Sequence, residues 1–246
     1  MANNILFITG AGVSVESGIP TFRGEEGFWT IGSKNYTPQE MATRKMYQSK
    51  PDEFLLWYYK RFATYRHIKP NIIHYWLSEK KLITQNIDGL DGKAGNRNYI
   101  PIHGRLDKVT IFHEQGDKVI LKNAPWDEIS KENTNDDFIL KRKLLDAFKI
   151  SFKTLKPEIN LSLKPFVLLF DEFYTNLYRM KEAEEWMIGA NKFIFIGTSF
   201  SVNITSIALN YALKNKCEIE IVDPNPINLG LENIVYHKMT GKEFIS

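Results

Sequence analysis

The sequence predicts an α/β fold, a doubly wound parallel sheet, on three observations. Short apolar runs recur along the chain, Ile5-Leu6-Phe7-Ile8 first and Phe193-Ile194-Phe195-Ile196 later, and both read as strands buried on two faces. Such runs empty into small or polar residues, namely Gly10-Ala11-Gly12, Gln85-Asn86-Ile87-Asp88 and Gly197-Thr198-Ser199. Segments with helical spacing separate the runs, the pattern of parallel strands joined by helical crossovers.

Composition sets the outer bounds. A chain of 246 residues with 43% hydrophobic and 25% charged residues fits a single α/β domain over 1–246, with room for insertions. The formal charge of +3 is spread along the chain, so no nucleic-acid surface is expected. The polar start after Met1 predicts no signal peptide, and no apolar run is long enough for a membrane span. A cytoplasmic protein without membrane contact is therefore expected, and oligomeric state is left open. The single cysteine, Cys217, excludes an internal disulfide and a four-cysteine zinc site. It reads as a small packed residue.

The first strand leads into ILFITGAGVSVESGIPTFRGEEGFW. Glycines at positions 10 and 12 let backbone approach a phosphate, as in dinucleotide-binding turns. A hydride-transfer fingerprint would place its third glycine at position 15, where Val15 stands. The segment Pro20-Thr21-Phe22-Arg23-Gly24 then breaks the helix and suggests a loop closing over the cofactor. GAGVSVESGIPTFRG resembles the first motif of the sirtuins, NAD-dependent protein deacylases with a Rossmann-like sheet. The resemblance implies NAD as cosubstrate, held here by Gly10, Ala11, Gly12, Ser14, Phe22 and Arg23.

Residues 37–50, 52–66 and 71–80 read as helices and suggest a helical insertion over 34–80. Tyr58 and Arg61, spaced i, i+3, share a helix face, where a phenol and a guanidinium could clamp a carboxylate. In one sirtuin branch a YxxR at the matching place reads succinyl-, malonyl- or glutaryl-lysine. A surface arginine stacked on a packed tyrosine is the alternative.

LITQNIDGLDGKAGN, from position 82, is similar to the sirtuin TQNIDxLHxxAG motif. The likeness implies that Gln85 contacts the nicotinamide ribose and that Asn86 and Asp88 line the nicotinamide pocket, beside Ile87. A carboxylate and a carboxamide together satisfy a buried amide's donor and acceptor. Asp91 stands where the family has histidine, and altered loop packing is expected there. In Tyr99-Ile100-Pro101-Ile102-His103-Gly104, His103 matches the sirtuin catalytic histidine, a side chain whose ordinary pKa suits proton acceptance at cellular pH. His67, His74, His113 and His237 lack that context and read as structural or solvated.

Residues 105–164 occupy the place of the family's zinc ribbon. Runs 109–112 and 118–121 read as a hairpin, and 135–156 as one long helix, a metal-free second insertion. The adjacent His113 and Glu114 lack metal-ligand spacing, so no metal is expected. The run Pro165-Phe166-Val167-Leu168-Leu169-Phe170 resembles the family's RPxVVxFGE strand and is expected to resume the main sheet, with Lys164 for Arg and Asp171 for Gly. The resemblance makes Val167 and Phe170 walls of the acyl-lysine tunnel. Gly197, Thr198 and Ser199 resemble the second NAD-contact loop, and Val202 would face the peptide. Asp223, where the family has asparagine, and Asn225 end a strand where a carboxylate can accept from ribose hydroxyls.

The reaction implied is removal of acetyl, or succinyl- or malonyl-type, groups from protein lysine, giving nicotinamide and O-acyl-ADP-ribose. His103 would act as base, with Asn86 and Asp88 in the nicotinamide pocket. The alternatives are an NAD glycohydrolase or ADP-ribosyltransferase using the same pocket, a catalytically idle NAD sensor, and a dehydrogenase. Val15 argues against the last.

Overall fold

A computed structural model describes residues 4–21, 36–115, 119–130 and 134–246, and for 62–64 the backbone alone. Nine strands lie among them: β1 Ile5–Thr9, β2 Leu82–Thr84, β3 Tyr99–Pro101, β4 Gly104–Ile111, β5 Lys122–Asn123, β6 Leu163–Val167, β7 Lys192–Ile196, β8 Glu218–Val222 and β9 Ile234–His237. The chain divides into two compact units. The first comprises Met1–Thr21, Ile68–His103 and Tyr178–Ser246; the second comprises Phe22–His67 and Gly104–Leu177.

The first unit holds a six-stranded sheet ordered β3-β2-β1-β7-β8-β9, every neighbouring pair parallel. The chain moves outward from β1 to β3 and then returns to the other side of β1 with β7. The carboxyl ends of β1 and β7 therefore flank a topological switch point, where open α/β sheets bind ligands. Leu6, Ile8, Phe193 and Phe195 are all fully buried. Phe7 and Ile194, facing the opposite way, join a core with Ile73, Leu77 and Val222. Burial on both faces explains why these strands are continuous apolar runs rather than alternating ones.

The second unit holds a three-stranded sheet, β5-β4-β6, with β4 antiparallel to both partners. Its core gathers Tyr47, Phe54, Phe112, Trp126, Leu144 and Phe148, each almost wholly buried. Two of these rings also place polar atoms: the Tyr47 hydroxyl donates to the Leu163 carbonyl at 2.7 Å, and the Trp126 indole to Leu106 at 2.7 Å.

Four sequence expectations are corrected here. The run 165–170 does not resume the parallel sheet: β6 pairs antiparallel with β4. An all-apolar run carries no information on partner direction. Within the expected hairpin the strand opposite β4 is β5, at Lys122–Asn123, rather than 118–121. The expected helix 135–156 is only Asp137–Ala147. It ends because Lys149 turns left-handed (φ 58°) and the Phe148 carbonyl accepts from Leu163 N–H, a tertiary bond that composition does not reveal. The expected helix 37–50 is two helices, Pro38–Met41 and Arg44–Ser49, with Thr43 capping the second through Met46 N–H.

Asp171, which stands where the family has glycine, closes the same cap. Its carboxylate accepts from Arg44 N–H at 2.6 Å and Lys45 N–H at 3.1 Å, two of the donors a helix start leaves unpaired. Beside it, Glu172 takes the Lys164 ammonium at 3.1 Å and the Arg44 guanidinium at 3.2 Å, all largely buried.

Candidate active site

The site is built on the carboxyl ends of β1, β2, β3 and β7. After β1 the chain enters a 3-10 turn, Ala11–Ser17, that ends at Gly18 in the left-handed region (φ 85°). Here the glycines serve first to let two backbones meet. A Cβ on Gly12 would lie 2.6 Å from Gly197 Cα, and one on Gly10 would lie 2.6 Å from the Gly197 carbonyl oxygen. Gly10 and Gly12 N–H groups donate to the carbonyls of Ile196 and Gly197 at 3.1 and 2.9 Å. Those two donors are thus spent on β7 and its loop, a use that reading the turn as a phosphate cradle did not foresee.

Ser14, Gln85, Asn86 and Thr198 are buried polar residues around this junction. The Ser14 hydroxyl donates to Asp88 Oδ2 at 2.8 Å. Asn86 Nδ2 donates to the Gly10 carbonyl at 3.0 Å and to Ser14 Oγ at 3.1 Å. Gln85 Nε2 donates to Thr198 Oγ1 at 3.0 Å, tying the end of β2 to the loop after β7. Both Asn86 amide protons are committed while Asn86 Oδ1, buried, has no partner. A ligand amide N–H would satisfy it, so the residues present fit a carboxamide such as nicotinamide.

Asp88 also accepts from Leu90 N–H at 2.8 Å. Desolvation raises its pKa, while the Leu90 and Ser14 donors pull it back. Asp91, on the first turn of the short helix Leu90–Lys93, is buried and its Oδ1 has no partner. Desolvation, with the Asp88 charge adding to it, pushes its carboxyl up to about 7.

His103 follows β3, and its Nδ1 lies 3.0 Å from the Gln85 carbonyl oxygen. A proton on Nδ1 donates to that carbonyl and leaves the lone pair on Nε2, the arrangement a base needs. Desolvation, outweighing the Gln85 contact, pushes the imidazole down to about 4, which keeps it neutral at cellular pH.

The first unit thus brings together Gly10, Ala11, Gly12, Ser14, Gln85, Asn86, Ile87, Asp88, His103, Gly197, Thr198 and Ser199. Asp223 follows β8, whose Val222 carbonyl accepts from Gly197 N–H, and its own carboxylate accepts from Asn225 N–H at 2.8 Å. Val202 caps the helix Asn203–Lys214. Phe22 and Arg23 lie outside the described residues. In the second unit Val167 is buried at the end of β6, whereas Phe170 is 57% exposed. Tyr58 and Arg61 are both buried. The Arg61 guanidinium stacks 3.5 Å from the Trp57 ring centroid, and desolvation pushes its pKa down to about 10 against the influence of Tyr58.

Sequence reasoning did not single out Asn71, and of its two readings of His74, structural or solvated, the structure shows the first. Asn71 caps the helix Ile72–Leu77, and its Nδ2 donates to the Val13 carbonyl at 2.8 Å. His74, fully buried, lies with Nε2 3.4 Å from Ser14 Oγ. A capping asparagine with a histidine three residues on was the available signal.

An all-parallel sheet with a polar cluster at its switch point defines a nucleotide-binding α/β enzyme. The chain belongs to the Sir2 family, whose description matches residues 10–204. It is 31% identical over 250 residues to "NAD-dependent protein deacylase 1" of Caldanaerobacter subterraneus subsp. tengcongensis, covering 99% of this chain and 91% of that one. The "NAD-dependent protein deacylase" of Bacteroides thetaiotaomicron is 29% identical over 231 residues, 92% and 87% of the two chains. Among solved structures, a Sir2 homologue mutant in complex with ADP-ribose superposes with a TM-score of 0.74 at 25% identity, over 99% of this chain and 90% of that one. A Sir2 homologue–NAD complex gives 0.71 at 25% identity, over 99% and 87%.

Proposed function

We propose that this chain is an NAD-dependent protein-lysine deacylase, acting as one catalytic domain over 1–246 with insertions at 34–80 and 105–164. The observation that carries the reading is the Ser14–Asn86–Asp88 cluster at the strand ends, with the orphaned Asn86 Oδ1 inside it. Asn86 and Asp88 would hold the nicotinamide amide, Asn86 as acceptor through Oδ1 and Asp88 through its carboxylate. Gly10, Ala11, Gly12, Ser14, Phe22, Arg23, Gln85, Ile87, Gly197, Thr198, Ser199, Asp223 and Asn225 would contact the remainder of NAD. NAD supplies a leaving group, nicotinamide, and a ribose that receives the acyl group. His103, neutral and with its Nε2 lone pair set by the Gln85 carbonyl, takes up the proton that a ribose hydroxyl gives off. Burial excludes water from Asn86 and strengthens every polar contact there.

Tyr58 and Arg61 are assigned to an acidic acyl group, with Val167, Phe170 and Val202 along the acyl-lysine and its peptide. Support comes from the desolvated Arg61 guanidinium, whose charge a substrate carboxylate would meet with little screening by water. No zinc enters the reading, since one cysteine cannot supply four thiolates. The lone thiol suits a reducing, cytoplasmic setting. No helix among the described residues is long and apolar enough to cross a membrane.

The test is nicotinamide release from NAD with no peptide, with acetyl-lysine peptide and with succinyl-lysine peptide, alongside His103→Ala. Peptide-dependent release lost in the variant supports deacylation. Release that needs no peptide would make the chain an NAD glycohydrolase, and no release at all would make it a sensor.

A further inference from the structure

Beside Tyr58 and Arg61, on the helix Pro51–Tyr65, lies a buried donor that no acceptor among the described residues satisfies: the indole Nε1 of Trp57. The residue is 8% exposed and the nitrogen itself is shut off from solvent. An indole N–H can only donate, and a buried donor left unpaired is costly until something brings it an acceptor. The other deeply buried indole of this unit, Trp126, has its acceptor in the Leu106 carbonyl at 2.7 Å.

The Trp57 ring is held by both neighbours. The Arg61 guanidinium carbon lies 3.5 Å from its centroid. At that distance the guanidinium must lie flat on the indole, because an edge-on approach would drive a nitrogen into the ring. Tyr58 meets the indole edge to face, with centroids 4.8 Å apart at 85°, and its own ring leans on Phe54 at 4.7 Å. Two planar donor groups are thus layered. Guanidinium N–H groups spread in one plane, and the indole N–H emerges at the edge of the other.

Neither layer offers an acceptor. A ligand that meets both must bring acceptors alone, and an ionised carboxylate does so, with two oxygens that can straddle the layers. An acetyl group ends in a methyl and would leave the indole unpaired. The charge of Glu172 reaches Tyr58. It is shared between Lys164 at 3.1 Å and Arg44 at 3.2 Å, so a second carboxylate meets little repulsion from it.

We propose that Trp57 is a specificity-determining residue for acidic acyl groups: its indole N–H donates to one oxygen of the acyl carboxylate while the stacked Arg61 guanidinium takes the other. The assignment rests on the acyl role given to Tyr58 and Arg61 in the deacylase reading. It adds a neutral donor to that site and a cause for its geometry, since the indole face sets the plane of the guanidinium before substrate arrives.

Two replacements separate the N–H from the ring. Trp57→benzothienylalanine puts sulfur where the N–H stands and keeps the bicyclic shape, whereas Trp57→Phe removes the N–H with part of the ring. The experiment measures kcat/KM on succinyl-lysine and acetyl-lysine peptides for wild type, both variants and Arg61→Met, and reads the succinyl-to-acetyl ratio. Both Trp57 variants are expected to lower that ratio roughly tenfold, the scale of one hydrogen bond to a charged group. The Trp57 indole proton resonance, identified by its absence from Trp57→Phe, should move downfield with succinyl-lysine peptide and stay in place with acetyl-lysine peptide.

An unchanged ratio in the benzothienylalanine variant overturns the role of Trp57. So does a loss shared equally by both peptides that follows the melting temperature, which would make the indole a packing group. If Arg61→Met still lowers the ratio in either case, the acyl reading stands without Trp57. If Arg61→Met leaves the ratio untouched, the acyl reading fails and the role of Trp57 with it. A wild type that releases no nicotinamide with any peptide overturns the deacylase reading; the indole resonance then decides the carboxylate site by itself, and no shift with succinyl-lysine peptide overturns it.

Discussion

Gly12 and Gly197 touch through their backbones: a Cβ on Gly197 would lie 2.7 Å from Gly12 Cα, and Gly197 itself is left-handed at φ 60°. Gly197→Ala therefore meets both a clash and a strained dihedral. The expected loss is roughly 2 kcal/mol or more of stability. Thermal unfolding should show a melting temperature several degrees lower, with weakened NAD binding.

The depressed His103 pKa sets the acid limb of activity. A base with a pKa of about 4 remains unprotonated above that value, so kcat/KM should stay level well below pH 6.5 before falling. A limb centred near the ordinary histidine value would mean that the imidazole is solvated in the working enzyme.

Stability should respond to pH through two opposing sets of groups. Asp91, raised to about 7 from an ordinary value of 3.8, binds a proton more readily folded than unfolded, so its contribution is lost as pH rises from about 4 through 7. His74 and His103, both depressed to about 4, work the other way and lose stability as pH falls from 6.5 through 4. Asp91→Asn should raise the melting temperature at pH 7.5 and leave it unchanged at pH 4. Melting curves of both proteins across that range test this.

Asp171→Ala removes the carboxylate that accepts from Arg44 and Lys45 N–H. The expected cost is about 1 kcal/mol, as for other helix caps. Hydrogen exchange should quicken in Arg44–Ser49, the helix it caps, while the balance between peptide-dependent and peptide-independent nicotinamide release stays as in wild type.

Arg61→Met tests acyl selection. Turnover of succinyl-lysine peptide should fall by roughly two orders of magnitude, while acetyl-lysine turnover holds. Equal loss on both substrates would return Arg61 to a packing role against Trp57.

The placement of Gly10, Gly12, Gln85, Asn86, His103, Gly197 and Thr198 was legible in the sequence because each follows an apolar run that forms a strand. Glycines and polar residues directly after an apolar run cannot continue a buried strand, and they stand where the switch point forms. The partner of 165–170 was hidden, because Phe166 and Val167 look alike in a parallel and an antiparallel sheet. The end of the helix at Ala147 was hidden for a related reason: a strand residue far along the chain, Leu163, supplies the donor that stops it. His74, read from the sequence as structural or solvated, is fully buried against Asn71 and Ser14, a placement that spacing does not encode.

The buried ammonium of Lys164 and carboxylate of Glu172 bear on how the second unit responds to heat and cold. Withdrawing ions from water costs less as temperature climbs, since ordered hydration shells lose their advantage. Apolar burial weakens on cooling. The cluster of Lys164, Glu172 and Arg44 therefore carries a growing share of that unit's cohesion in warmth, and chilling weakens its ionic and oily supports together.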